Sequence, residues 1–370
     1  MSAAVRASRV VALEEAFLHP RIWELFPEHL QRRYTPVRGR LSDVGTERIR
    51  SMDAAGIDVQ VLSHVAPGVQ ILPDDQVAQA AEVCREVNDW LAGVVSRHST
   101  RFAGFATLPT QSADAAAAEL ERTVRDLGFK GALINGHTNG RYLDAAEYDV
   151  LLATAESLGV PIYIHPTDPP DQVAGLYYAP FETALTPTWG WPVETGTHLL
   201  RLICSGVFDR HPGLKIIVGH LGELLPYCAT RLNLGMTMAG WLAGDDQSVG
   251  MRRNLGYYLR QNVYITSSGV FDVPVFDCAR AMLGLDNLMF SVDYPFQDNF
   301  AGSEFLARIG LSAGELERFA HGTADALLRL DGHATHHGPG ARATKRDAWY
   351  RVRASAQSRI GRALISALVK

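Results

Sequence analysis

The sequence predicts an α/β protein built as a closed (β/α)8 TIM barrel. Three observations carry that reading. Eight short runs rich in Val, Ile and Leu recur between residues 10 and 295, helical segments separate most of them, and several of those segments stop at glycine. Most runs are apolar throughout rather than alternating, which suits strands buried on both faces of a parallel sheet. Eight strand–helix units fit a barrel, and an open doubly wound sheet is the weaker alternative.

In chain order the strands are VVALEE (10–15), IDVQVLS (57–63), FAGFATL (102–108), GALING (131–136), VPIYIHP (160–166), LKIIVGH (214–220), VYITSS (263–268) and LMFSVDYP (288–295). Apolar residues at helical spacing place helices at 46–56, 77–98, 115–128, 147–159, 193–211, 221–235 and 273–284. Two segments exceed a minimal barrel. Residues 18–43 carry Trp23, Phe26 and Tyr34, and residues 167–192 carry Tyr177, Tyr178, Trp189 and Trp191 among several prolines. Long aromatic loops that follow strands form lids or binding walls more often than linkers. Residues 1–340 are therefore read as one catalytic barrel with aromatic insertions at its carboxyl-end face. Residues 341–370, with eight Lys or Arg against the single acid Asp347, are read as a basic, helical C-terminal extension.

Composition narrows the function. Hydrophobic residues make up 47% of the 370, enough for a large core and against disorder. The 35 basic and 40 acidic residues leave a net charge of −5, which gives no general attraction to nucleic acid or to an anionic membrane. A small molecule becomes the default partner. No run approaches the roughly 18 apolar residues of a spanning helix, and the start MSAAVRASRVVALEEAF meets two glutamates before a signal-peptide core forms. A cytoplasmic protein is expected. Cys84, Cys204, Cys228 and Cys278 lack paired spacing, which predicts four buried free thiols.

Barrel enzymes place their chemistry at the carboxyl ends of the strands. Those positions here hold Glu14, His64, Asn135, His165, His220, Ser267 and Asp293. Any one of them alone is ordinarily structural, a hydrogen-bonded histidine or a helix-capping aspartate. Together, Glu14, His165 and Asp293 make an oxygen and nitrogen ligand set for one divalent metal with open positions. His64 and His137 are reserve ligands. Trp23, Phe26, Trp191 and Phe296 are candidates to line an aromatic substrate pocket, against the plainer reading that many of them only pack.

The segments VALEEAF (11–17), INGHTNGRYLD (134–144), YIHPTDPP (163–170), ETGTHLLRLICSGVFDRHPGLKIIVGHLGELLPY (194–227), ITSSGVF (265–271) and MFSVDYPF (289–296) together resemble the amidohydrolase superfamily. They are most similar to its nonoxidative decarboxylase branch, which includes γ-resorcylate, 2,3-dihydroxybenzoate, 5-carboxyvanillate and aminocarboxymuconate semialdehyde decarboxylases. The resemblance spans about residues 10–330 in order. It implies a mononuclear metal on Glu14, His165 and Asp293, with His220 as a catalytic histidine paired to Glu223 on the following helix. It also implies that Arg231, eleven residues beyond His220, reaches the substrate carboxylate in a neighbouring subunit of a homodimer or homotetramer. Arg48 is a candidate for a second guanidinium from the same subunit.

Departures from the family bear on the chemistry. Ala16 stands where many members place a histidine, so one nitrogen ligand is missing, and Asn135 stands where binuclear hydrolases carry a bridging lysine. Lys130 lies before that strand, at the wrong end, and Thr323 in HGTAD replaces the usual Asn. The remaining hard ligand set suits one Mn²⁺, Mg²⁺ or Zn²⁺. The reaction implied is nonoxidative decarboxylation of a hydroxybenzoate-type acid, a carboxy-lyase activity in which Asp293 protonates the ring carbon and CO2 leaves. Hydrolysis of a lactone, ester or amide would use the same residues, so both readings stand at this stage.

Overall fold

The computed structural model describes residues 6–243 and 250–330. The basic segment 341–370 and the last residues of the expected 1–340 unit lie outside the described residues. All eight expected strands form, as β1 (Val11–Phe17), β2 (Val59–His64), β3 (Phe102–Gly104), β4 (Ala132–Asn135), β5 (Ile162–His165), β6 (Ile216–Val218), β7 (Val263–Thr266) and β8 (Leu288–Met289). Every ladder between neighbours is parallel, in two sheets of order β1-β2-β3 and β4-β5-β6-β7-β8.

The two sheets meet at two seams. Between β3 and β4 an isolated parallel bridge joins Ala106 to Ala132, and Lys130 N–H donates to Gly104 O at 2.9 Å. Between β8 and β1 Ala16 N–H donates to Tyr294 O at 2.7 Å, and the Glu15 carboxylate accepts the N–H groups of Val292 and Tyr294. The result is a (β/α)8 barrel. Strand alternation sorts the apolar residues into two layers. Val11, Leu13, Val59, Val61, Phe105, Leu133, Tyr163, Ile217 and Met289 form the barrel interior. Ala12, Leu62, Phe102, Ile134, Ile162, Ile164, Ile216 and Val218 belong to the larger layer shared with the surrounding helices. The helix Thr323–Leu328 plugs the amino end with Ala324, Leu328 and the following Leu330.

One irregularity decides the site. Ala12 pairs with Gln60 but Glu15 with Leu62, so the register slips by one residue between them. This bulge lets both Leu13 and Glu14 face the interior and turns Glu15 outward, against the alternation that the apolar pattern alone implies.

Several sequence expectations change. Insert 18–43 is not an open loop but three short helices, Pro20–Leu25, Glu28–Tyr34 and Arg38–Ser42. The helix expected from residue 221 starts at Leu225, because residues 220–224 adopt left-handed backbone. Glu223 therefore sits in a turn, not on the helix. Of the four free cysteines only Cys84 is fully buried; Cys204, Cys228 and Cys278 are half-buried. Among the described residues no helix is long and apolar enough to cross a membrane.

Candidate active site

Glu14, His165 and Asp293 converge at the carboxyl end of the barrel, each offering one ligand atom within 4.8 Å of the others. Glu14 has two unequal oxygens. Oε2 accepts the hydroxyl of Tyr163, which in turn lies 2.7 Å from Thr266 Oγ1. Oε1 is buried, receives no hydrogen bond, and lies 3.2 Å from His165 Nε2. His165 Nδ1 is 2.7 Å from Pro166 O, an arrangement that places its proton on Nδ1 and a lone pair on Nε2. Burial, only partly offset by Glu14, holds the His165 pKa below its ordinary value, so the ring is neutral. A neutral imidazole and a bare carboxylate oxygen facing each other need a cation between them. The donor set therefore fits a divalent metal, as the sequence reading required.

Asp293 completes the group from just beyond β8, with a φ of 69°. Burial and the adjacent Glu14 carboxylate push its pKa well above the usual carboxylate range. Gly219, at the end of β6, leaves space for Glu14: a Cβ there would lie 2.6 Å from Glu14 Oε2. The next residues, His220, Leu221, Glu223 and Leu224, all have φ between 51° and 68°. Gly222 inside this turn has a φ of 87° and no room for a side chain, since its Cβ would meet Ile265 Cδ1 at 2.7 Å. The strained turn folds Glu223 back so that its Oε1 lies 2.6 Å from His220 Nδ1. His220 Nε2 points toward the ligand group, 4.0 Å from Glu14 Oε1. Burial opposes a charge on His220, but Glu223 and Glu14 outweigh it and raise the pKa to about 10.

The other sequence candidates divide. Trp191 stands beside His165, with ring centres 6.5 Å apart. Phe26 packs on Tyr34, and Tyr34 on Phe296, at 5.8 and 6.1 Å, which joins them as one aromatic wall. Trp23 instead lies under the Arg38 guanidinium and packs on the core. Arg48 does not line the site. It is fully buried, donates to Ala16 O, Asp43 O and Gln60 Oε1, and stacks on Tyr294. The reserve ligands are engaged elsewhere: His64 accepts His19 N–H and pairs with Val65 O, and His137 Nδ1 accepts Gly140 N–H. Arg231 is exposed on the helix Leu225–Ala243.

Sequence reasoning missed Tyr163, Glu15, Asp168 and Arg33. Tyr163 had a signal, since it lies two residues before His165 and so on the same strand face. Asp168 had none: it accepts Arg33 Nη2 at 2.9 Å and Trp191 Nε1 at 2.7 Å, tying the two insertions together. Arg33, Asp168 and Trp191 line a cleft of about 430 Å³ between the loops after β1, β2, β4 and β5. A larger cleft of about 670 Å³ lies at the opposite end of the barrel, near Lys215 and Asp286, away from the ligand group.

The family described as amidohydrolase matches residues 26–330, most of the chain. The protein belongs to the amidohydrolase family. This amidohydrolase is 36% identical over 329 residues to the γ-resorcylate decarboxylase of a Rhizobium species, covering 87% of this chain and 98% of that protein. Two solved structures are similar in fold. The 5-carboxyvanillate decarboxylase of Novosphingobium aromaticivorans, complexed with manganese and 4-hydroxy-3-methoxy-5-nitrobenzoic acid, has a TM-score of 0.81 at 32% identity, covering 89% of this chain and 99% of that one. The dihydroxybenzoic acid decarboxylase of a Polaromonas species, with bound manganese and the inhibitor 2-nitroresorcinol, has a TM-score of 0.78 at 35% identity, covering 87% and 97%.

Proposed function

We propose that this amidohydrolase is a metal-dependent carboxy-lyase that removes CO2 from a hydroxybenzoate-type acid without oxidation. The observation that carries the reading is the bare Glu14 oxygen facing neutral His165 beside Asp293, in a chain whose relatives over nearly its whole length are aromatic acid decarboxylases. Glu14, His165 and Asp293 hold one divalent ion, with manganese favoured by the two similar structures. When bound, that ion supplies a Lewis acid able to anchor a carboxylate and a neighbouring phenolate oxygen.

The chain's own groups supply the rest. Asp293, placed at the barrel mouth beside the ligand atoms of Glu14 and His165, delivers a proton to the ring carbon that bears the carboxylate. The new C–H bond forms there, the bond to the carboxylate carbon breaks, and its electrons restore the aromatic ring as CO2 departs. His220, kept cationic by Glu223, donates a hydrogen bond to charge developing on a ring oxygen. Tyr34 and Trp191 line the cleft, Trp191 beside His165, and offer aromatic faces to the substrate ring.

The active unit is a homodimer or larger assembly. Arg231 is exposed on a helix that also exposes Tyr227, Leu234 and Met238, a face suited to a second copy that would receive the guanidinium at its own mouth. Residues 1–340 act as one catalytic unit, and the free thiols fit a reducing, cytoplasmic setting. The test is a panel of ortho-hydroxybenzoates with the Mn²⁺-loaded protein. Release of CO2, with carboxylation of the matching phenol in bicarbonate, supports the reading; turnover of lactones or esters without CO2 would replace it with hydrolysis.

A further inference from the structure

Of the adjacent acids Glu14 and Glu15, only the first has a part in the reading above. Glu15 is fully buried, and its carboxylate receives four donors. Val292 N–H and Ser291 Oγ reach Oε1 at 2.9 and 3.1 Å, while Tyr294 N–H and Gln60 Nε2 reach Oε2 at 3.1 and 3.2 Å. Two of the four are the peptide N–H groups on either side of Asp293 in the chain. Neighbouring residues of β1 grip the same segment: Glu14 N–H donates to Ser291 Oγ at 2.8 Å, and Ala16 N–H to Tyr294 O at 2.7 Å.

The regular ladder of β8 covers only Leu288–Met289, and β8 has no ladder with β1. At this seam the Glu15 side chain takes the place of sheet hydrogen bonds. Asp293 lies inside the grip, in a left-handed conformation that Asp tolerates better than most L-residues and that the bonds on either side hold in place. Arg48 backs the arrangement from outside, donating to Ala16 O and Gln60 Oε1 and stacking on Tyr294.

We propose that Glu15 is a positioning residue for the metal centre: by holding the backbone on both sides of Asp293 it sets the separation between Asp293 and Glu14, its own neighbour on β1. The inference rests on Glu14, His165 and Asp293 being the ligands, and not on the reaction they serve.

Glu15→Gln keeps the size of the side chain but turns an NH2 group toward one of the two donor pairs, and flipping the amide only moves the conflict to the other pair. Free Mn²⁺ is followed by electron paramagnetic resonance while wild type, Glu15→Gln and the core variant Leu120→Ala, on the helix Ala113–Arg125 that follows β3, are titrated. Glu15→Gln should bind Mn²⁺ at least about tenfold more weakly than wild type, whereas Leu120→Ala, which lowers Tm without touching residues 291–294, should stay within about threefold. Wild-type affinity in Glu15→Gln would overturn the proposal, as would equal weakening in the core variant. If Glu15→Gln does not fold, Ser291→Ala takes its place, removing one donor to Glu15 and the acceptor for Glu14 N–H. It should weaken Mn²⁺ about threefold or more, and an unchanged affinity overturns the proposal. A crystal structure of the metal-free Glu15→Gln or Ser291→Ala protein gives an independent reading: residues 291–294 should shift and Asp293 should leave its φ near 69°, and an unmoved segment counts against the clamp. Wild type that binds Mn²⁺ but releases no CO2 would sink the proposed reaction and leave this inference standing. Wild type that binds no Mn²⁺ would sink both the ligand assignment and the clamp.

Discussion

Glu14 shows how much single residues decide here. One oxygen is held by Tyr163 and the other is left bare toward His165, so the carboxylate is fixed and yet available. Replacing His165 with Ala removes the nitrogen of the ligand set; elemental analysis should find no stoichiometric metal, and retention of the metal would refute the assignment. Gly219→Ala should fold, since the backbone there has an ordinary φ of −80°, but its Cβ would press on Glu14 Oε2 and metal binding should fall by an order of magnitude or more. Calorimetric titration with Mn²⁺ checks this, and wild-type affinity would mean that Glu14 can move aside. His220→Asn should keep its metal and lose roughly two orders of magnitude in kcat, the usual share of a positioned acid or donor. At this scale the proposed ligand residues, Glu14 among them, were legible as types at strand ends. The geometry that turns Glu14 inward and Glu15 outward was not, because the bulge between Ala12 and Glu15 departs from the alternation of a regular strand. Arg48 misled for a similar reason. Its charge suggested a substrate anion, whereas tertiary packing gives it buried carbonyl partners that no local pattern reveals.

Among the elements, strands were the most legible, since eight short apolar runs alternating with helical segments fit the buried strands of a parallel barrel. The helices of 18–43 were not, because pieces of five to seven residues give too little periodicity and are stabilised by packing rather than propensity. The turn 220–224 was hidden as well: its left-handed backbone depends on Gly222 sitting against Ile265 and Pro226. At the other end of the barrel, His321, just before the helix Thr323–Leu328, pairs with both Glu317 and Asp325, each at 2.8 Å, and Glu317 also accepts Ser8 N–H and Oγ. The bond to Asp325 raises the His321 pKa against partial desolvation, with help from Glu317. A raised folded-state value means that this stabilisation is complete below the unfolded pKa near 6.5 and fades as pH climbs through the raised one. The Tm gap between wild type and His321→Gln should therefore be largest near pH 6 and shrink toward pH 9, with a contribution of roughly 1 kcal/mol or less for so partly exposed a pair. A gap that widens with pH would contradict the charged pairing. Leu328→Ala, in the plug itself, should cost about 2–5 kcal/mol by opening a cavity under the barrel.

At the scale of the whole molecule, the barrel brings residues 14, 165, 220 and 293 to one mouth, and the proposed assembly brings Arg231 to a neighbour's. Arg231 lies exposed on the helix Leu225–Ala243, but a surface that would receive it is a property of two chains, which one sequence suggests only through resemblance. Mixing Arg231→Ala with Asp293→Asn under subunit exchange should restore up to about half of the wild-type activity per mixed dimer, because one of its two sites carries neither defect. No recovery despite confirmed exchange would place Arg231 outside the neighbour's chemistry. The most direct test of the central claim is decarboxylation in D2O, followed by NMR of the phenol formed by the Mn²⁺-loaded protein. The account predicts one deuterium on the carbon that lost CO2, stoichiometric with gas release, and loss of both signals in Asp293→Asn. A fully metal-loaded wild type that leaves every ortho-hydroxybenzoate intact, or an Asp293→Asn variant that deuterates the ring at the wild-type rate, would contradict it.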